Sequence, residues 1–156
     1  MRIDLHLHSR YSHDSNTSLE ALVQRCRECG LDRIALTDHN TVEGALKLAA
    51  MAPELTIVGE EAKTREGEVI GLFIKRRIPP YLRPEEAMAE AMLHGWRAQQ
   101  TARGLRAKTI GARERLVRRF VAFTNEFPWR WSPGHVDEWT LTLTAEHHLA
   151  PATIRG

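Results

Sequence analysis

Short strand patterns alternate with helix patterns over the first 94 residues, and this alternation restricts the chain to βαβ units built on a mainly parallel sheet. Residues 2–7, RIDLHL, alternate as a strand does. Thr17 is placed to open a helix, with Glu20 completing a capping box and Leu19, Leu22, Val23 and Cys26 at helical spacing. Gly30 is a suitable stop. Residues 33–37, RIALT, read as a short buried strand. Asn40 and Glu43 read as the cap of a second helix, whose apolar face is Val42, Ala45, Leu46 and Ala49. LTIV at 55–58 and EVIGLFI at 68–74 are two more strands. Pro79-Pro80 breaks the last, and Pro84 starts a third helix running towards His94. Crossovers between parallel strands are right-handed.

On this layout the metal-type side chains gather at one edge of the sheet. His6 and His8 share a face at the end of the first strand, because side chains alternate along a strand. Asp38 and His39 follow the second strand, and Glu61 follows the third. The carboxyl ends of parallel strands are where α/β active sites assemble. Asp14 lies in the loop Tyr11-Ser12-His13-Asp14-Ser15, close enough to fold back. Mixed imidazole and carboxylate donors suit manganese, zinc or iron, and a bridging carboxylate suits ions held close together. Such a cluster yields a nucleophilic water at neutral pH and neutralises phosphoryl charge. Asp4 and Asp38 are the carboxylates expected to assist catalysis, Asp4 by orienting an imidazole. His13 and Glu60 are expected to face water, and Asp38 and Asn40 also suit turn and cap positions.

Composition changes along the chain. Residues 1–94 hold 12 Lys and Arg against 15 Asp and Glu, whereas residues 95–156 hold 10 against 5. All four Trp lie in the second stretch and both Cys in the first, which suggests two units of different origin. The Cys26/Cys29 spacing has no second pair to complete a thiolate zinc site, so both read as free helix thiols. Met1-Arg2-Ile3-Asp4 is a strand pattern and not a signal-peptide core, and no apolar run reaches membrane-spanning length. A cytoplasmic protein with no membrane partner is expected. Residues 105–127 read as a helix with Arg113, Arg115, Arg118 and Arg119 interleaved among apolar positions, ended by Pro128. Ser132-Pro133 begins another, and Pro151 a third. Trp129, Trp131 and Trp139 are expected to pack between helices. His135, His147 and His148 have no carboxylates at ligand spacing.

The segments DLHLHSRYSHDS, LTDHNTVEG and VGEEAKTREGEVIGLFI, in that order, resemble the PHP (polymerase and histidinol phosphatase) family of metal-dependent phosphoesterases over about residues 1–92. The resemblance implies an α/β fold, a partial PHP-type (β/α)7 barrel of about four strands and three helices. It also implies two or three divalent ions and hydrolysis of a phosphomonoester or phosphodiester, on a phosphorylated small molecule or nucleotide. By position it makes His6, His8, Asp14 and His39 ligands and Glu61 a bridging carboxylate, with Glu68 where many relatives have His. The family's later His-Pro and Asp-x-His ligand motifs do not appear in this chain. Residues 104–156, through RERLVRRFVAFTNEFPWRWSPGHVDEWTLTL and APATIRG, resemble the core-binding (SAM-like) domain of phage-type tyrosine recombinases. That implies a small all-α segment contacting duplex DNA through Arg113, Arg115, Arg118 and Arg119, without recombinase catalysis. The two resemblances together describe a fusion joined at about residues 93–103.

Overall fold

The computed structural model describes residues 1–147, and the side chains of the first 145 of them. The helix expected from Pro151 lies outside the described residues, as does His148. Four strands, β1 (Ile3–Leu7), β2 (Arg33–Leu36), β3 (Thr56–Thr64) and β4 (Gly67–Leu72), form one sheet in the order β1-β2-β3-β4. Helices α1 (Leu19–Glu28) and α2 (Glu43–Met51) connect the first three strands, and α3 (Pro84–Ala102), α4 (Ala107–Thr124) and α5 (Pro133–His147) follow the last.

The first three strands pair in parallel, as the crossover helices require. β4 does not: it runs antiparallel to β3, from Gly59 opposite Leu72 to Thr64 opposite Gly67. Only Arg65 and Glu66 separate the two strands, too few for a crossover, so the chain turns back as a hairpin. Gly67 takes a φ of 126°, and the Thr64 hydroxyl donates to the Gly67 carbonyl across the turn. Two helix starts also differ from the sequence reading. Ser18, not Thr17, caps α1, its hydroxyl accepting from Ala21 N–H. Asn40 does not cap α2. It sits in the left-handed region at φ 54°, and its side-chain oxygen accepts from Lys63 N–H at 2.9 Å, tying the end of β2 to β3.

The main core lies between β2 and its two helices. Leu19, Leu22 and Cys26 of α1 and Ala45 and Leu48 of α2 close over Ile34 and Leu36. Each such leucine or isoleucine contributes about 1.5–3 kcal/mol by leaving water. A second cluster, Val42, Ala62, Ile74, Ile78 and Ala87, packs on the Ala62 side of β3. Glu60 belongs to that side. It is fully buried, not solvated as expected, because β3 is covered on both faces; one of its oxygens accepts Ile78 N–H at 2.7 Å. Burial, partly offset by that hydrogen bond, raises its pKa.

The backbone divides into compact units at Gln99/Gln100. In the second, Asn125 in the left-handed region ends α4, and a 3-10 turn at Pro128–Arg130 leads to α5. Phe120 is the hub: its ring centroid lies 4.7 Å from Trp131 and 4.8 Å from Trp139, and the Trp131 indole donates to the Glu126 carbonyl. Trp129 stacks on Phe127. Among the described residues, no helix is long and apolar enough to cross a membrane.

Candidate metal centre

The ends of β1 and β2 and the interior of β3 bring the donors together, for β3 runs on to Thr64 and Glu61 lies within it, not after it as the sequence suggests. β1 aims His6 and His8 from one face. The chain beyond β2 bridges β3 in register, His39 beside Glu61. Asn40 N–H donates to the Glu61 carbonyl, and Thr37 N–H to the Leu7 carbonyl. Backbone hydrogen bonds thus fix the ends of β1 and β2 against β3 before any side chain takes part.

Asp38 completes that frame. It is fully buried, and its two oxygens accept Ser9 N–H at 2.6 Å and the Ser9 hydroxyl at 2.8 Å, so the loop after β1 is tied to the end of β2. Gly44 lets α2 approach this pair: a Cβ there would collide with an Asp38 oxygen and lie 2.9 Å from the Tyr11 ring. Ser12 accepts His39 N–H at 3.1 Å. Asp4 accepts His6 N–H within its own strand at 3.1 Å. Both carboxylates expected to assist catalysis therefore engage the protein's own backbone.

The six expected ligands converge. His6 Nε2, His8 Nε2 and Glu61 Oε2 form a closed triangle with edges of 3.1, 2.9 and 2.9 Å. His8 Nδ1 lies 2.7 Å from Asp14 Oδ2, whose distance to His39 Nε2 is 3.5 Å. His39 Nδ1 is 3.5 Å from both Glu61 Oε2 and Glu68 Oε1. Burial works to raise the Glu61 pKa, but the His6 hydrogen bond and the surrounding imidazoles outweigh it and hold the carboxyl below its ordinary value. Hydrogen bonds from Ser12 and then His8 hold Asp14 well below the usual carboxylate range.

These donors fit divalent cations. Atoms sharing one ion at about 2.1 Å lie about 3 Å apart when their bonds are at right angles, the spacing of the first triangle. Three carboxylates grouped among the imidazoles concentrate negative charge that cations neutralise. The groups His6/His8/Glu61, His8/Asp14/His39 and His39/Glu61/Glu68 are each tight enough to hold an ion. Ser9, Ser12 and Gly44 were not singled out from the sequence, since their roles appear only once the strand ends meet. His13, expected to face water, is exposed but packs its ring 4.9 Å from that of His39.

Residues 4–103 match the family model described as the PHP domain. The chain belongs to the PHP family. It is 32% identical over 108 residues to the uncharacterized protein MJ1587 of Methanocaldococcus jannaschii, covering 61% of this chain and 63% of that one. It is 33% identical over 105 residues to the error-prone DNA polymerases of Mycobacterium bovis and Mycobacterium tuberculosis, covering 59% of this chain and 10% of each polymerase. Among solved structures it is similar to an amidohydrolase from Chromobacterium violaceum with bound sulfate and no metal. That match has 28% identity and a TM-score of 0.40, over 64% of this chain and 37% of the other. The PHP chain thus spans less than two thirds of the length of each of these relatives.

Proposed function

We propose that this PHP chain is a metal-dependent phosphoesterase, hydrolysing a phosphomonoester or phosphodiester of a small molecule or nucleotide with manganese, zinc or iron. The observation that carries the reading is the His6/His8/Glu61 triangle, closed across β1 and β3 with His39, Asp14 and Glu68 adjoining it. Bound divalent ions supply Lewis acidity and a nucleophilic water at neutral pH.

The protein's own groups do the rest. Glu61 and His6 hold donors from two strands in one place. Ser12, by accepting the backbone N–H, fixes where the His39 backbone sits. The Asp38–Ser9 tie keeps the β1 loop seated. Without cations the carboxylates Asp14, Glu61 and Glu68 repel a phosphate, so substrate binding itself depends on metal. The test is turnover of a panel of phosphomonoesters and phosphodiesters, with EDTA and with manganese restored. Activity lost with EDTA, restored by manganese and absent in Glu61→Gln is expected. A metal-loaded, folded protein inert across the panel would overturn the reading.

A second reading, contact with duplex DNA through α4, draws on Arg115 and Arg119, exposed one turn apart on that helix. Arg113 instead donates to Gln100, and Arg118 pairs with Glu114.

A further inference from the structure

Residues 63–83 hold six Lys and Arg against two acids, whereas the rest of the first 94 residues hold six against 13. The loop that follows β4 lies in this basic stretch and is pinned at two points. Ile74 and Ile78 are buried over Gly71, where a Cβ would lie 2.9 Å from Ile78 and 3.5 Å from Ile74. Ile78 N–H also donates to Glu60. Between the two pins Lys75, Arg76 and Arg77 are all exposed. None of the three forms an ion pair with a described residue, although the buried Glu60 feels the charge of Arg77. Three adjacent cations of this kind attract a ligand of several negative charges.

Aromatic rings bracket the run. Phe73 is 76% exposed and Tyr81 60%, and both stand in the left-handed region, at φ 58° and 62°. Asn40 and Asn125, at similar angles, are of the type that tolerates it; a bulky ring there is held against a backbone cost. Tyr81 is fixed on both sides: its N–H donates to the Lys63 carbonyl at 2.7 Å, and its carbonyl accepts from Arg65 Nε at 3.0 Å. Neither ring gains burial for its strain, which marks both as displayed for a ligand. Leu72 pairs with Gly59 and Tyr81 meets Lys63, so the two ends of the loop lie about 13 Å apart along β3. Lys63 stands two residues beyond Glu61 and opposite Glu68, so the Tyr81 end adjoins the metal centre.

We infer that loop 73–81 is a binding site for single-stranded nucleic acid, with its cations on backbone phosphates and its rings stacked on bases. Unpaired bases offer the planar faces, and the backbone the repeated charge, that such a loop matches. A lipid surface would also engage the cations, but binding there grows with buried apolar area, and the loop offers two rings. The substrate class this gives, an oligonucleotide phosphodiester, rests on the phosphoesterase reading. Binding does not, since the loop lies outside the carboxylate cluster and needs no metal.

The test is fluorescence anisotropy of a labelled oligothymidylate in EDTA, using the full chain with Arg115→Gln/Arg119→Gln so that α4 does not contribute. Phe73→Gly/Tyr81→Gly keeps the left-handed backbone and removes only the rings. It is expected to unfold no earlier in denaturant than its parent and to bind the strand at least about 5-fold more weakly. Lys75→Gln/Arg76→Gln/Arg77→Gln is expected to reduce the slope of log affinity against log salt by about two. Strand binding unchanged in both variants, duplex bound as tightly as single strand, or binding to phosphatidylserine vesicles in place of the strand would overturn the inference and leave the phosphoesterase reading intact. A strand held through the loop, beside a manganese-loaded protein inert on every phosphoester, would contradict that reading and leave the loop site standing.

Discussion

At the residue scale, the chemistry depends on side chains being deprotonated at the moment they bind metal. Protons compete with divalent ions for the donors of this cluster, so metal affinity is expected to fall as pH drops from 8 towards 5. Glu61 and Asp14, held below the usual carboxylate range, stay ionised through that interval and do not set the transition. Titration of manganese binding from pH 8 to pH 5 checks this; affinity unchanged down to pH 5 would mean the imidazoles are not ligands. The six candidate positions were readable because residue type and nearness to a strand pattern are one-dimensional facts, although Glu61, expected after the third strand, lies within β3. Which nitrogen faces which carboxylate is not, and emerged only from distances. Glu60 shows the same limit. Its neighbour Glu61 reaches the cluster, while Glu60 lies under Ile78, and no sequence pattern revealed that β3 is covered on both faces.

At the element scale, the frame around the site is more fragile than its ligands. Gly44→Ala forces a methyl against Asp38 and Tyr11. It is expected to cost about 1–3 kcal/mol by overpacking, seen as a lower midpoint in denaturant, and to lower metal affinity because the Ser9 loop is displaced. Glu60 gives a stability prediction with a definite sign. Its folded pKa is raised, so its contribution is fully present below the unfolded value of 4.5 and is lost as pH rises through the folded one. Glu60→Gln is expected to remove that alkaline-side loss, leaving stability flatter with pH from 5 upward. A variant with the same pH slope as the parent would contradict the burial argument. The strands and helices were legible because their apolar periods differ. The β3–β4 hairpin was not, since Arg65-Glu66 is an unremarkable pair and the turn geometry rests on Gly67. Asn40 misled for a physical reason: the short polar side chain that makes a good cap also suits a left-handed residue bridging two strands.

At the scale of the whole molecule, the charge step along the chain is a prediction about partners. Duplex DNA retention by the full chain is expected to weaken with salt and to drop in Arg115→Gln/Arg119→Gln, with the salt slope reduced by roughly two. Retention absent at low salt would leave α4 a solvated helix face. The central claim concerns the other region, where β1 and β2 end beside Glu61 of β3 and the donors are placed to hold metal. The most direct measurement is the metal content of the purified, dialysed full-length protein by elemental mass spectrometry, beside His6→Ala/His8→Ala. About two equivalents of manganese, zinc or iron in the parent, falling in the double variant, is the expected result. Substoichiometric metal that the substitutions do not change would contradict it.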